Sequence, residues 1–390
     1  MKKARKVRLG IIGVGNMGTH HARSVLDGKV PRCELVAVGD SDPERLAAYG
    51  DGVRKFDNGK SLIRSGIADA VLIATPHYDH TTLGTLAIKE GLHVLVEKPI
   101  SVHKADCERL IAAYKARKRR KQVFAAMFNQ RTDPHYWKVK ELIDRGELGQ
   151  LMRVNWITTQ WFRSETYYAS GGWRATWAGE GGGVLLNQCP HQLDLIQWLC
   201  GMPVMVSGHC SLGKRHSIEV EDEVTAYMEY KNGATGVFIA STGEAPGTNR
   251  LEIVGEMGRV VVEGGRISFT RNETSILEYC RKTKERFRGP PVWNIDIPVE
   301  GHGGQHGAIL RNFVEAILDG AKLVAPAVEG IHSVELGNAM LYSALTGKPV
   351  KVPINGKAFE RKLKQLIKES RFVKKVSKTK GGDDFAKSFA

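Results

Sequence analysis

Long apolar runs are absent from this chain of 390 residues. No stretch stays apolar over the roughly 20 residues that a membrane-spanning helix needs, which argues against a helical membrane protein. Cysteine is scarce: Cys33, Cys107, Cys189, Cys200, Cys210 and Cys280 are the only six, and no two form a CxxC pair. Six thiols in a chain this long are not a disulfide scaffold, so reduced thiols are expected. Cys189 reads as a small buried hydrophobe. There is no internal repeat, and no low-complexity block before a tail that begins after residue 376 and is expected to be flexible.

Acidic residues are outnumbered, 42 against 57 lysines and arginines, for a net charge of +15. Much of the excess lies in KARKRRK (115–121) and beyond about residue 357. Nucleic-acid or membrane-surface binding is one reading of such charge. No nucleic-acid motif or interleaved aromatic accompanies it, so a charged helix end and a solvated tail are expected instead, with no nucleic-acid or membrane partner. An anionic substrate such as a nucleotide sugar is a third reading. The opening MKKARKVR-LGIIGVG could pass for a signal peptide, but its apolar part is short, β-branched and runs into glycines. It reads as a first strand with a basic lead-in, and a cytoplasmic protein is expected.

What is present is the composition of a globular protein, with 42% hydrophobic and 25% charged residues, in a chain long enough for two domains. The first third alternates strands and helices. Strands are predicted at 7–15, 33–40, 68–75, 93–99 and 122–128, and helices at 16–27, from about 43, at 79–90 and at 103–118. Such alternation gives a parallel sheet covered on both faces, and nearly continuous apolar strands agree with that. After about residue 130 a helix (134–145) precedes strands at 153–162, 224–230, 234–242 and 250–264, with helices at about 184–199 and 306–319. Successive strands without helices predict an antiparallel or mixed sheet. The fold class is therefore α/β: a Rossmann doubly wound parallel sheet, then an α+β domain on a large open sheet. The divisions expected are 1–130, 131–376 and a basic tail at 377–390.

Gly13-Val14-Gly15-Asn16-Met17-Gly18 fits G-x-G-x-x-G between a predicted strand and a predicted helix. There Gly13 allows the tight turn, Gly15 lets the backbone approach a pyrophosphate, Gly18 lets helix and strand pack, and the helix N-terminus faces the anion. Asp40 stands at the end of the second strand, where a carboxylate accepts from the adenosine ribose. An acid there repels a 2′-phosphate, so NAD is favoured over NADP, although Arg45 could swing toward a phosphate. Glu97-Lys98-Pro99 closes another strand at the ligand-binding edge of the sheet; the lysine points toward the nicotinamide and Glu97 can hold its ammonium.

These features, with Ala74-Thr75-Pro76 and the run GGGVLLNQCPHQLD (181–194), resemble the glucose–fructose oxidoreductase / inositol dehydrogenase / MocA family. The resemblance runs from about residue 7 to about 355. It implies reversible oxidation of a secondary alcohol on a sugar or cyclitol. Lys98 would contact both substrate hydroxyl and cofactor ribose, and His191 would be the general base. It also implies cofactor contacts from Ala74, Thr75, Pro76, His80, Trp173 and Arg174. Many members carry aspartate where this chain has Asn187, which cannot take a proton but can orient a hydroxyl.

The chemistry is self-consistent, because hydride leaves carbon only as the hydroxyl proton is removed. Asn187, His191 and Asp194 fall at helical spacing on one face, with a packing role open for Asp194. The segment WFRSETYYASGGWRATW (161–177) is dense in aromatics and arginine, and Arg163, Tyr167 and Trp177 are candidate substrate contacts, as are Asn129 and His306. His302 and His306 lack a third ligand nearby, and neither they nor His77 and His80 suggest a metal. Two other functions remain open: a glycosidase that oxidises transiently and recycles its NAD, and a non-catalytic nicotinamide-binding regulator. An open sheet usually needs a partner, so a homodimer or homotetramer is expected.

Overall fold

A computed structural model describes residues 5–376. The tail at 377–390 lies outside the described residues. In the first half the order is β1 (Val7–Ile12), α1 (Asn16–Leu26), β2 (Cys33–Gly39), α2 (Pro43–Ala47), β3 (Arg54–Phe56), α3 (Gly59–Arg64), β4 (Ala70–Ile73), α4 (His77–Lys89), β5 (His93–Val96), α5 (Lys104–Lys115) and β6 (Phe124–Ala126). The six strands form one sheet in the order β3-β2-β1-β4-β5-β6, parallel throughout. This is the Rossmann order. β4 and β5 are buried at every position, as strands with helices on both faces must be.

The second half continues through α6 (Pro134–Asp144), β7 (Leu151–Thr158), α7 (Glu165–Ala169), α8 (Val184–Asn187), α9 (Pro190–Cys200), β8 (Met205–Leu212), β9 (Glu221–Glu229), β10 (Thr235–Ser241), β11 (Asn249–Gly255) and β12 (Gly258–Glu263). It ends with β13 (Arg266–Asn272), α10 (Ile276–Lys282), β14 (Val292–Ile297), α11 (Gln305–Asp319), α12 (Gly330–Thr346), β15 (Val350–Lys351) and α13 (Gly356–Glu369). Nine strands make one mixed sheet, β14-β13-β12-β11-β7-β10-β9-β8-β15, in which β10 and β7 run parallel. Along β9, Val224, Ala226 and Met228 are buried while Thr225 and Tyr227 are exposed. One face is therefore covered, in part by α9 and α12, and the other meets solvent.

Two expectations about the elements are corrected. The strand predicted over 250–264 is a hairpin, β11 and β12, turning between Gly255 and Gly258. The single helix predicted over 184–199 breaks into α8 and α9, because Pro190 supplies no N–H and starts a new helix at its first position. Asn187 and His191 therefore do not share a helix face. Finally, β3, α3, β8, β13, β14, α12 and α13 carried no expectation. The two cores are not strictly sequential: Ile309, Leu310, Phe313 and Val314 of α11 pack into the core of the first sheet.

Candidate active site

The glycine turn is built for an anion. Gly13 has φ +85°, and a Cβ there would lie 2.7 Å from the Ala74 carbonyl oxygen. A Cβ on Gly18 would lie 1.8 Å from the Gly13 carbonyl oxygen, so only glycine brings α1 this close to the turn. At Gly15 the nearest group to a Cβ is the Arg45 guanidinium at 3.6 Å, which leaves the backbone open to an approaching phosphate. Gly15 caps α1 without a side-chain bond, so the N–H groups of Asn16 and Met17 begin the helix uncapped by a side chain.

Asp40 is buried. One of its oxygens accepts from the Val14 N–H at 2.8 Å and the other from the Asp42 N–H at 2.9 Å. A carboxylate has about four acceptor sites, so two remain for ribose hydroxyls. Arg45 is drawn to Asp40 (3.6 Å) and Asp42 (3.2 Å) rather than standing clear for a phosphate. Cradle, helix terminus and carboxylate together fit a dinucleotide of the NAD type.

Further along the same sheet edge, Ala74-Thr75-Pro76 follows β4, and the Thr75 hydroxyl is buried without a protein partner. His80 bridges two loops, its ring nitrogens 2.9 Å from the Thr75 carbonyl and 2.8 Å from the Pro99 carbonyl. Both nitrogens face backbone oxygens, which makes His80 a brace between the β4 and β5 loops rather than a group with a nitrogen left over for cofactor. Below it, Glu97 Oε1 lies 2.6 Å from His21 Nε2, and Oε2 accepts from the Lys98 N–H at 3.1 Å. Burial by itself would raise the Glu97 pKa, but the His21 hydrogen bond and the nearby His21, His306 and Lys98 bring it down to about 2. The carboxylate is charged, so His21 must carry its proton on Nε2. The His306 ring, in the first turn of α11, packs 5.6 Å from those of His20 and His21.

Lys98 Nζ donates to the Asn187 carbonyl at 2.7 Å, joining the two halves of the molecule. Burial lowers the Lys98 pKa, against the pull of Glu97 and Glu180. α8 is held by Glu221, whose Oε1 accepts from the Gly183 and Leu185 N–H groups at 2.8 and 3.1 Å.

His191, in the first turn of α9, stands edge-on to Phe128 at 6.1 Å. Burial, and then the charge of Lys98, push its pKa well below 6.5, and its Nδ1 is buried without a hydrogen bond to the protein. A neutral imidazole with an unsatisfied nitrogen beside a buried ammonium can take a proton from a hydroxyl. Asn129 donates to Gln305 at 2.6 Å while its Oδ1, like Thr75 Oγ1, is buried and unsatisfied.

The aromatic segment divides. The Tyr167 ring is flanked by the guanidinium groups of Arg163 (5.0 Å) and Arg174 (4.7 Å). Its hydroxyl accepts from Arg174 at 2.9 Å and Gln188 at 3.1 Å. Trp173 meets His77 edge-on at 5.5 Å. Trp177, expected in the pocket, is 4% exposed within the second core, its carbonyl accepting from the Tyr78 hydroxyl and its N–H donating to Glu219. Its indole is walled in by apolar side chains, and that burial sets its role. Asp194 forms a two-point ion pair with Arg131, 2.7 Å at each contact and about 1% exposed on both sides, a packing arrangement. His302 stacks on His135 rather than on His306. Among the described residues no group of three or more histidine, cysteine or acidic side chains is placed to hold a metal. Sequence reasoning missed His21, Arg131, Glu180 and Glu221, none of which belongs to a spaced motif.

Residues 7–125 match a family model described as an oxidoreductase family with an NAD-binding Rossmann fold, and residues 136–261 match the GFO/IDH/MocA C-terminal domain. The chain is 30% identical over 260 residues to inositol 2-dehydrogenase 3 of Saccharopolyspora erythraea, covering 65% of this chain and 72% of that protein. It is 26% identical over 361 residues to the scyllo-inositol 2-dehydrogenase (NAD(+)) of Bacillus subtilis, covering 90% and 97%. Among solved structures, the WlbA dehydrogenase of Bordetella pertussis, in complex with NADH and UDP-GlcNAcA, superposes with a TM-score of 0.74 at 25% identity, covering 90% and 100%. No helix among the described residues is long and apolar enough to cross a membrane. The chain belongs to the Gfo/Idh/MocA oxidoreductases, whose first domain is an NAD-binding Rossmann fold, and it is an NAD-dependent dehydrogenase.

Proposed function

We propose that the enzyme moves a hydride between a secondary alcohol of a cyclitol, sugar or sugar derivative and the nicotinamide. The observation that carries this reading is the pairing of a neutral, unsatisfied His191 with the buried Lys98 ammonium at the ligand-binding edge of the parallel sheet. NAD, when bound, supplies the hydride acceptor. Gly13, Gly15, Asn16, Met17 and Gly18 hold its pyrophosphate, Asp40 its adenosine ribose, and Thr75 and Trp173 line its path toward Lys98. His191 takes the hydroxyl proton as the carbinol carbon gives up hydride. Lys98 steadies the developing alkoxide, an electrostatic role strengthened by burial.

The substrate class follows from the polar atoms on offer. Asn129 Oδ1, Asn187, Tyr167 and Arg163 offer acceptors and donors suited to several hydroxyls, and the unsatisfied Asn129 Oδ1 and Arg163 Nε favour a polyol over a mono-alcohol. Inositol dehydrogenases among the relatives and the UDP-GlcNAcA of the WlbA structure agree with that class. Residues 1–130 serve the cofactor in this reading, and 131–376 the substrate and self-association through the exposed sheet face, as a dimer or tetramer. The test is a panel of inositols, free sugars and nucleotide sugars offered with NAD or NADP. One class should give reduced nicotinamide with NAD; failure of every class would overturn the reading.

A further inference from the structure

Glu180 is 1% exposed, and both of its carboxylate oxygens are engaged. One oxygen accepts from the Ala175 N–H at 2.6 Å, and the other accepts from the Asn187 side-chain NH2. Asn187 is itself fixed at a second point, because its backbone carbonyl accepts from Lys98. An amide has a donor end and an acceptor end, and only the donor end can face a carboxylate. Asn187 is half-buried, and its Oδ1 takes no hydrogen bond from any described residue, so it is left to the crevice. Beside it, the Tyr167 hydroxyl faces the NH groups of Arg174, Gln188 and Asn187, all of them donors.

We propose that Glu180 is a positioning residue of the substrate pocket: as a carboxylate it turns the Asn187 amide so that Oδ1 accepts a substrate hydroxyl, and on protonation it donates to Asn187 and the amide reverses. The proposal rests on the polyol-oxidising reading above. A reversed amide presents NH2 to the crevice, and a bound hydroxyl then loses its acceptor.

The surroundings make the switch accessible near neutrality. Burial raises the Glu180 pKa to about 7, against Arg174, the Ala175 and Asn187 hydrogen bonds and Lys98. The other charged or titratable groups in its field are Glu221, Tyr168 and Lys374, and His77 meets the Glu180 backbone carbonyl. Glu221, also brought to about 7 by burial, is bonded to the α8 backbone and cannot turn the amide.

The experiment is a four-way comparison on the NAD-loaded enzyme: wild type, Glu180→Gln, Asn187→Asp and the double variant, with KM and kcat for the best polyol across pH. The wild-type KM is expected to rise as pH falls through about 7. Glu180→Gln should raise KM about fivefold above pH 8, where the wild-type carboxylate is charged, the scale of one neutral hydrogen bond, with a smaller change in kcat and no pH-linked rise. Asn187→Asp sets two carboxyls around one proton; with that proton on Glu180 the introduced carboxylate still faces an oxygen to the crevice, so KM should stay near the wild-type value through pH 7 and rise only when a second proton is added at lower pH. In the double variant the amide introduced by Glu180→Gln donates to the carboxylate introduced by Asn187→Asp, so an acceptor faces the crevice again and KM should return most of the way. Thermal unfolding of the four proteins separates folding defects, and calorimetric binding of the polyol to the NADH-loaded enzyme gives an activity-independent readout. Equal KM and superimposable pH profiles in wild type and Glu180→Gln would overturn the proposal, as would a double variant no better than Glu180→Gln. A wild type that oxidises no polyol would overturn the reading beneath it instead.

Discussion

The His21 imidazole donates to the Glu97 carboxylate at 2.6 Å, both buried under the Lys98 loop. The pair links the first helix after the glycine turn to the residue next to Lys98. It thereby couples the cofactor turn to the proposed catalytic lysine through one hydrogen bond.

Stability at low pH should report that bond. The Glu97 pKa is about 2 in the fold against an ordinary 4.5, so its contribution is present above 4.5 and lost as pH falls toward 2. His21→Ala removes the donor and the folded carboxyl pKa climbs back toward or above 4.5, so the variant should be less stable near neutrality while its further loss of stability between pH 4.5 and 2 shrinks or disappears. Denaturant midpoints measured as pH is lowered decide the matter. Parallel curves for wild type and variant would show that His21 does not hold the carboxylate.

Lys98→Ala and His191→Ala should each lose about 10²–10⁴ in turnover, the usual range for a proton-transfer group, while binding NAD nearly as the wild type does. Fluorescence titration with NADH beside steady-state turnover separates the two effects. Near-normal turnover in either variant removes that residue from the chemistry.

Asp40→Ala should erode the preference for NAD. The carboxylate is held by Val14 and Asp42 N–H groups and faces where the adenosine ribose docks. Its loss should cut kcat/KM with NAD about tenfold or more and improve use of NADP, with Arg45 released from its ion pair. An unchanged NAD-to-NADP ratio would contradict this assignment.

Asp194→Ala should damage the fold more than the chemistry. It removes the two-point partner of Arg131, which is 1% exposed and keeps only Glu329 as an ion-pair partner, so the loss should lie at or below the about 3–5 kcal/mol of a broken buried pair. Chemical denaturation measures the loss. A variant as stable as wild type but inactive would move Asp194 into the catalytic group.

What could be read from the sequence was local. The glycine fingerprint, Glu97-Lys98-Pro99 and the run holding His191 each carry their meaning within a few residues of a predicted strand or helix end, and the structure sets all three along one sheet edge. The break at Pro190 was visible but overridden by the apolar period running through it, which misplaced Asn187 relative to His191. Trp177 shows the limit of composition: a large aromatic suits a core and a sugar site equally, and only packing decides. Glu180 and His21 were invisible because their partners, Asn187 and Glu97, are reached through the fold rather than along a period. Strands β13 and β14 were missed although Ile267 and Phe269 alternate with Arg266, Ser268 and Thr270, because that alternation lasts only about five residues and β14 is largely exposed.

The most direct test of the central claim is the accumulation of reduced nicotinamide when the enzyme is mixed with NAD and the cyclitol or sugar it prefers. The account expects NADH and ketone to form in equal amounts in the wild type, and both to form about 10²–10⁴ times more slowly with Lys98→Ala. NAD-dependent cleavage of a glycoside without accumulating NADH, or equal initial rates from both proteins, would contradict it.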